Sequence, residues 1–352
     1  MHDFAFEAHI PRVVFAAGSL ARLGDEIERL GARRAIVLCT PEQEPLAAGI
    51  AARLGGRCAG VFAGAVMHVP IESARAARAE AARREADCAV AVGGGSTTGL
   101  GKAIALESGL PILAIPTTYA GSEMTPIHGL TDAGEKRTGR DPRVLPRTVI
   151  YDPELTLTLP VALSVTSGLN AIAHACEGLY ASDANPIVSL MAEEGIRALA
   201  TALPRIVASP ADIGARSDAL YGAWLCGAVL GHVSMGLHHK LCHTLGGSFD
   251  LPHAPTHAVV LPHALAYNAP ATPAAMAAIA RALGTTGAAP LALHRLCVAL
   301  GAPVSLEALG MPEDGLDRVA DLAVAKPYPN PRPLERAALR ALLQRAWAGQ
   351  PP

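Results

Sequence analysis

Seven of the 13 histidines in this 352-residue chain fall between His232 and His263. Imidazole serves near neutral pH as proton donor, proton acceptor and metal ligand, so such density points to chemistry. His239 and His243 are four apart, and a helix puts both on one face, with Lys240 between them in sequence. His253 follows Pro252, where a new helix can begin and aim the ring back at the first pair. Upstream, Asn170 and His174 repeat the four-residue spacing. Two helices that each offer an i, i+4 pair, plus a third histidine, are how a helical bundle builds a metal or catalytic pocket. Taken singly, each of these histidines reads equally well as a satisfied core residue. The set carries the argument.

The elements that position them are helices. After Pro160 the strand signals stop, and apolar spacing of helical period runs through residues 161–181, 186–206, 213–233, 237–246, 256–267, 273–283, 290–300, 315–325 and 334–348. An all-helical domain over residues 156–352 is expected. Residues 1–155 read differently. Apolar runs at 34–39, 58–63, 88–92, 111–115 and 148–151 alternate with helical patterns at 43–54 and 70–86 and after the glycines at 93–95. That alternation predicts an α/β domain with a doubly wound parallel sheet.

This first half carries its own candidate site. The strand at 88–92 runs into Gly93, Gly94, Gly95 and Ser96, and a helix follows with Thr97 in its first turn. Glycines let the backbone approach a pyrophosphate, and a helix N-terminus offers free N–H groups and a positive dipole end. The stretch is neither a Walker loop nor the usual dinucleotide fingerprint, because Lys102 sits too far from the first glycines. The next strand ends in residues 116–122. Thr117, Thr118, Tyr119 and Ser122 therefore come to the sheet's carboxyl edge, where open α/β sheets bind ligands. The strand at 34–39 ends in Cys39 and Thr40, with no acid there to grip a ribose 2′-hydroxyl, so both NADH and NADPH are expected to be accepted. A basic loop over residues 129–142 gathers Lys136, Arg137 and Arg140, with Arg143 just after it, and reads as a solvated loop or an anion site.

Composition sets the outer limits. Apolar residues make up 51 % and the formal net charge is −2, so no bulk basic field speaks for nucleic acid or an anionic membrane. No apolar run reaches the roughly 18 residues that span a bilayer. The N-terminus lacks a secretory signal pattern. Seven cysteines are scattered without a paired motif, which reads as reduced thiols in cytoplasm.

These residues resemble the iron-containing alcohol dehydrogenase family, with its dehydroquinate-synthase-like fold. The motifs that carry the likeness are residues 93–96, residues 115–123, residues 151–153, the Asn170/His174 pair, and His239 and His243 with His253. Residues 95–102, 117–127 and 146–154 look typical of a branch that reduces the C=C bond of a doubly charged oxo-acid with NADH or NADPH. The resemblance implies a small dicarboxylate substrate and a homodimer. The family's metal-ligand positions match Asn170, His174, His239 and His253, and His243 matches a further histidine near the nicotinamide. Two departures stand out. Asn170 replaces the family's aspartate, and Gly99 stands where many relatives carry another.

An amide is a much poorer ligand than a carboxylate for Fe²⁺ or Zn²⁺, and the resemblance implies that this branch works without a metal. Loss of acids also suits a dianion. A carboxylate about 6 Å from a substrate carboxylate costs roughly 3 kcal/mol at an effective dielectric near 20. His239, His243, His253 and Lys240 remain as donors to a developing enolate, with a histidine to protonate carbon, while Asn170 and His174 orient the substrate. Two other readings stay in play: a metal-dependent alcohol dehydrogenase, and a nucleotide-binding protein without catalysis.

Overall fold

The computed structural model describes residues 3–132 and 135–352, with the side chains of residues 135 and 136 outside that description. The chain divides into two compact units. One is His9–Leu159; the other is Pro160–Pro352 together with the residues up to Ala8.

The first unit is built on a parallel six-stranded sheet. Its strands are β1 (Arg12–Phe15), β2 (Ala35–Leu38), β3 (Cys58–Phe62), β4 (Cys88–Gly93), β5 (Ile112–Pro116) and, after an intervening hairpin, β8 (Thr148–Tyr151), in the order β1-β8-β5-β4-β2-β3. The helices between them are α1 (Leu23–Arg29), α2 (Glu44–Leu54), α3 (Ile71–Arg83) and α4 (Gly95–Ser108). Strands β2 and β4 read as unbroken apolar runs because both faces are covered. Side chains alternate between those faces. Ile36, Leu38 and Ala89 pack with Ala74, Ala77, Leu100 and Ile104 of α3 and α4. Ala35, Val37, Val90 and Val92 pack with Ile27 of α1 and Ile50 of α2. This is the doubly wound α/β arrangement expected.

Two elements depart from the sequence reading. Strand β1 was not foreseen; four residues after Pro11 are too short to show a period, and pairing with β8 decides the matter. The basic stretch is no loop. Strands β6 (Ile127–Asp132) and β7 (Glu135–Arg140) form an antiparallel hairpin, with Ile127 opposite Arg140 and Asp132 opposite Glu135. Its polar composition hides the strands, since tertiary pairing outweighs weak β-propensity. Arg143 makes a short bidentate pair with Asp141, so its charge is neutralised locally.

The second unit is helical in its described residues: α5 (Val161–Gly178), α6 (Pro186–Ala208), α7 (Ile213–His232), α8 (Leu237–Phe249), α9 (His253–Asn268), α10 (Pro273–Ala282), α11 (Ala289–Ala299), α12 (Leu316–Val324) and α13 (Arg336–Trp347). Start signals sit where the sequence provides them. Asn185 caps α6 ahead of Pro186, and Asp212 caps α7. Helix α5 is buried along almost its whole length. Helices α7 and α8 meet at a 94° bend across a four-residue break, and Pro252 starts α9 at His253. Among the described residues no single helix is long and apolar enough to cross a membrane.

Candidate active site

In the first unit, β2, β4 and β5 are neighbours, and their carboxyl ends bring together the residues singled out in sequence. Gly93 closes β4 at φ +147, and a Cβ there would lie 2.5 Å from both Gln43 Oε1 and Thr97 Oγ1. A Cβ at Gly94 would lie 2.9 Å from Thr118. Only glycine leaves this cradle open. Gly95 is exposed and Ser96 half-exposed at the start of α4, so the helix N-terminus faces outward with its first N–H groups. Gln43 Nε2 donates to Thr117 Oγ1 at 2.8 Å, and the buried Thr97 hydroxyl has no partner. Thr40, Thr118 and Ser122 are half-exposed, whereas Cys39 and Tyr119 are wholly buried. An acid does stand near this edge: exposed Glu42, held down in pKa by its own backbone N–H and by Thr40. Lys136 pairs with Thr131 in the β7 register, and its side chain lies outside the described residues.

Lys102 does something the sequence did not reveal. It is wholly buried, and its Nζ donates to Ser122 O at 2.7 Å, Thr125 Oγ1 at 2.9 Å and Ile127 O at 2.7 Å. The ammonium thus ties down residues 122–127 behind the strand edge. Burial lowers Lys102 to about 7, opposed by Glu123, whose carboxylate accepts from Tyr151 OH at 2.7 Å.

In the second unit three helix segments converge. Helix α5 presents Asn170, His174 and Glu177 at i, i+4 and i+7, one face of a helix. The first turns of α8 supply His238, His239, Lys240 and His243, and α9 supplies His253 and His257. Ring centroids of His243 and His253 are 6.3 Å apart with the rings nearly parallel, and those of His253 and His257 are 4.2 Å apart. Exposure is graded. His174, His238, His239 and His257 are buried, Lys240 and His253 half-buried, and His243 exposed.

Glu177 organises the buried end. Its oxygens accept from backbone N–H groups of Gly236 at 3.2 Å, His238 at 2.9 Å and His239 at 3.3 Å, at the N-terminus of α8. His239 Nδ1 lies 2.6 Å from the same carboxylate. Burial raises the Glu177 carboxyl, and nearby His238 and these N–H groups work against that shift. Burial, and then His243, lowers His239 to about 3, so at neutral pH it is an uncharged ring that donates Nδ1–H to Glu177. Its Nε2 then accepts from His174 Nδ1 at 2.8 Å, and His174 Nε2 is left facing Asn170 Nδ2 at 3.4 Å. The tautomers follow from the network. Replacing Glu177 by Met removes the acceptor that fixes them. In ¹⁵N imidazole spectra His239 is expected as the Nδ1–H tautomer in the parent chain and as Nε2–H in E177M.

With this geometry in view, likeness to known proteins has a definite meaning. The iron-containing alcohol dehydrogenase pattern matches residues 11–153, and the C-terminal pattern of the same family matches residues 164–347. The chain belongs to the iron-containing alcohol dehydrogenase family. Maleylacetate reductase of Burkholderia cepacia is 67 % identical over all 352 residues, covering 100 % of each chain. The enzyme of that name from Sphingobium indicum is 59 % identical over 99 % of each. The crystal structure of maleylacetate reductase from Agrobacterium tumefaciens matches with a TM-score of 0.97 at 57 % identity, covering 100 % of each chain. The fold is dehydroquinate-synthase-like.

The family's namesake metal meets a poor set of donors here. Asn170 is neutral, and it turns its amide nitrogen, a donor, toward His174 while its buried Oδ1 has no partner. Glu177, the carboxylate of the cluster, is occupied by four donors. The set at residues 170, 174, 239 and 253 keeps three imidazoles but has lost its one anionic ligand, so it fits Fe²⁺ poorly.

Sequence reasoning missed Glu177, Lys102, Gln43, His238 and His257. Signals existed for two of them. Glu177 continues the Asn170/His174 face by one more turn, and His257 is four residues after His253.

Proposed function

We propose that this chain reduces maleylacetate to 3-oxoadipate with NADH or NADPH, without a metal, as a step in the breakdown of aromatic and chloroaromatic compounds. Full-length identity to maleylacetate reductases supports the activity. The observation that carries the metal-free part is Asn170: the acid of the family ligand set is gone, and the amide faces His174 as a donor.

The dinucleotide supplies a hydride. The chain's own residues bind it at the strand edge, where Thr40, residues 93–97, Thr117, Thr118, Ser122 and Lys136 are the proposed contacts. The Gly93/Gly94 cradle, which a Cβ would fill, fits a phosphate. Hydride adds to the carbon β to the ketone, the electron pair moves to the ketone oxygen, and a proton is needed at the carbon between. His243 is the first choice of donor and His253 the second. Both stand at the accessible end of the cluster, which favours them over buried His239, whose Nδ1 lies 2.6 Å from Glu177 and whose Nε2 lies 2.8 Å from His174. Lys240 offsets part of the dianion's charge, and Asn170 and His174 orient it. Conjugation with the ketone makes this reduction less dependent on a Lewis acid than that of a simple carbonyl.

The test is turnover of maleylacetate with NADH by protein treated with EDTA. The rate is expected to stay unchanged, and added Fe²⁺ or Zn²⁺ gives no increase. Loss on chelation with recovery on adding either ion would show a metal-dependent dehydrogenase instead.

A further inference from the structure

The histidine cluster contains a second grouping that proton transfer does not use. Ring nitrogens of His238, His239 and His257 all lie within 4.8 Å of one another, and all three residues are buried. The set shares only His239 with the family's ligand positions. His257 has neither ring nitrogen hydrogen-bonded although it is wholly buried. Such a buried, unpaired polar group is unfavourable, and a ligand would relieve it. The other two rings already carry the outer hydrogen bond typical of metal-binding imidazoles. His239 Nδ1 donates to the Glu177 carboxylate at 2.6 Å, and His238 Nε2 donates to the backbone carbonyl of His257 at 3.1 Å. That leaves His238 Nδ1 and His239 Nε2 as the coordinating atoms.

We propose that His238, His239 and His257 form a binding site for one divalent ion of the imidazole-preferring class, such as Zn²⁺, Co²⁺ or Cu²⁺, and that its occupation inhibits the enzyme. Bonds of about 2.1 Å set nitrogens about 3.4 Å apart in a tetrahedron, so the rings must close and turn to bring His238 Nδ1, His239 Nε2 and a nitrogen of His257 onto one ion. A water completes four-coordination. Glu177 sits one bond behind His239 and offsets part of the added charge. Inhibition follows from the geometry: the ion takes His239 Nε2, which otherwise accepts from His174 Nδ1 at 2.8 Å, and breaks the link between α5 and α8 that orients His174.

The experiment titrates Co²⁺ into the chelator-treated full-length chain and reads the d–d absorption of the bound ion. One four-coordinate Co²⁺ per chain is expected. His257→Leu and His238→Leu weaken its binding at least about 100-fold, while His174→Ala and His253→Ala leave it within a few-fold. Circular dichroism checks the fold of each variant. If the Leu variants do not fold, the Cu²⁺ forms of His174→Ala and His253→Ala still decide, because their EPR spectra should keep splitting from three nitrogens, which a family-type site would lose. Loss of binding in His174→Ala or His253→Ala, with retention in His257→Leu, would mean a family-type site and overturn the proposal. So would no stoichiometric Co²⁺ binding, or fewer than three nitrogens. Binding is read without substrate, so a failure of the proposed reductase activity leaves this test intact. In an active preparation Zn²⁺ should inhibit the parent chain and spare His257→Leu.

Discussion

Replacing His243 by Ala is expected to lower kcat on maleylacetate about 10²–10⁴-fold while leaving the KM for NADH nearly unchanged. His243 is the exposed member of the cluster, and its ring lies nearly parallel to that of half-buried His253. The deeper rings are committed elsewhere: His239 to Glu177 and His174, and His238 to the carbonyl of His257. The outer pair is therefore the proposed source of the proton for the substrate carbon. His253→Ala should also lower kcat. The double variant should lose little more than the worse single one, because residues that act as a unit are not additive. Steady-state kinetics on folded variants checks this. Wild-type kcat in both single variants would remove the outer pair from the chemistry.

The second large effect is on stability. Lys102→Met should destabilise the first unit by about 3–5 kcal/mol, read by urea unfolding. The methionine fills the space but removes the donor that Ser122 O, Thr125 Oγ1 and Ile127 O share, and leaves Glu123 without its neighbouring cation; Ser122 O keeps its bonds from Thr125. A buried acceptor that loses its donor costs about 1–3 kcal/mol. A pH signature separates this from simple packing loss. Burial lowers Lys102 to about 7 in the folded chain, below its ordinary value of 10.5. Between those two values the unfolded chain binds the extra proton. Its contribution to stability therefore rises with pH across that window and is flat below it. Buried thiols such as Cys88, pushed up to about 12, act in the opposite sense above their ordinary range. The difference between the parent chain and K102M isolates the lysine: the parent gains stability from pH 7 toward 9 relative to the variant. No difference in slope would mean that Lys102 keeps its proton throughout.

Much of this arrangement was legible in the chain, and the limits are physical. The parallel sheet showed because buried strands are unbroken apolar runs, as in residues 35–38 and 88–92. The helical unit showed because its apolar spacing is long and regular. The histidine cluster was legible from the i, i+4 pairs at 170/174 and 239/243 and from Pro252 before His253. Glu177 was not, because an acid on a helix signals nothing until the N-terminus of α8 turns out to point at it. Lys102 was rightly set aside as a phosphate-loop lysine, yet its burial depends on the turn at 122–127, far away in sequence. The β6/β7 hairpin escaped because its strands are polar. His239 reads as one of several donors from its motif, and only the distances to Glu177 and His174 show both its nitrogens engaged.

In the proposed reaction hydride goes to carbon, at a C=C bond, with charge carried to an enolate handled by nitrogen donors. Running the reaction with NADH deuterated at the transferred position and locating the label in the product by NMR distinguishes this from carbonyl reduction. The expected product is 3-oxoadipate with one deuterium on the carbon β to the ketone and a proton from solvent on the carbon between. Deuterium on a carbinol carbon, with the double bond intact, would contradict it.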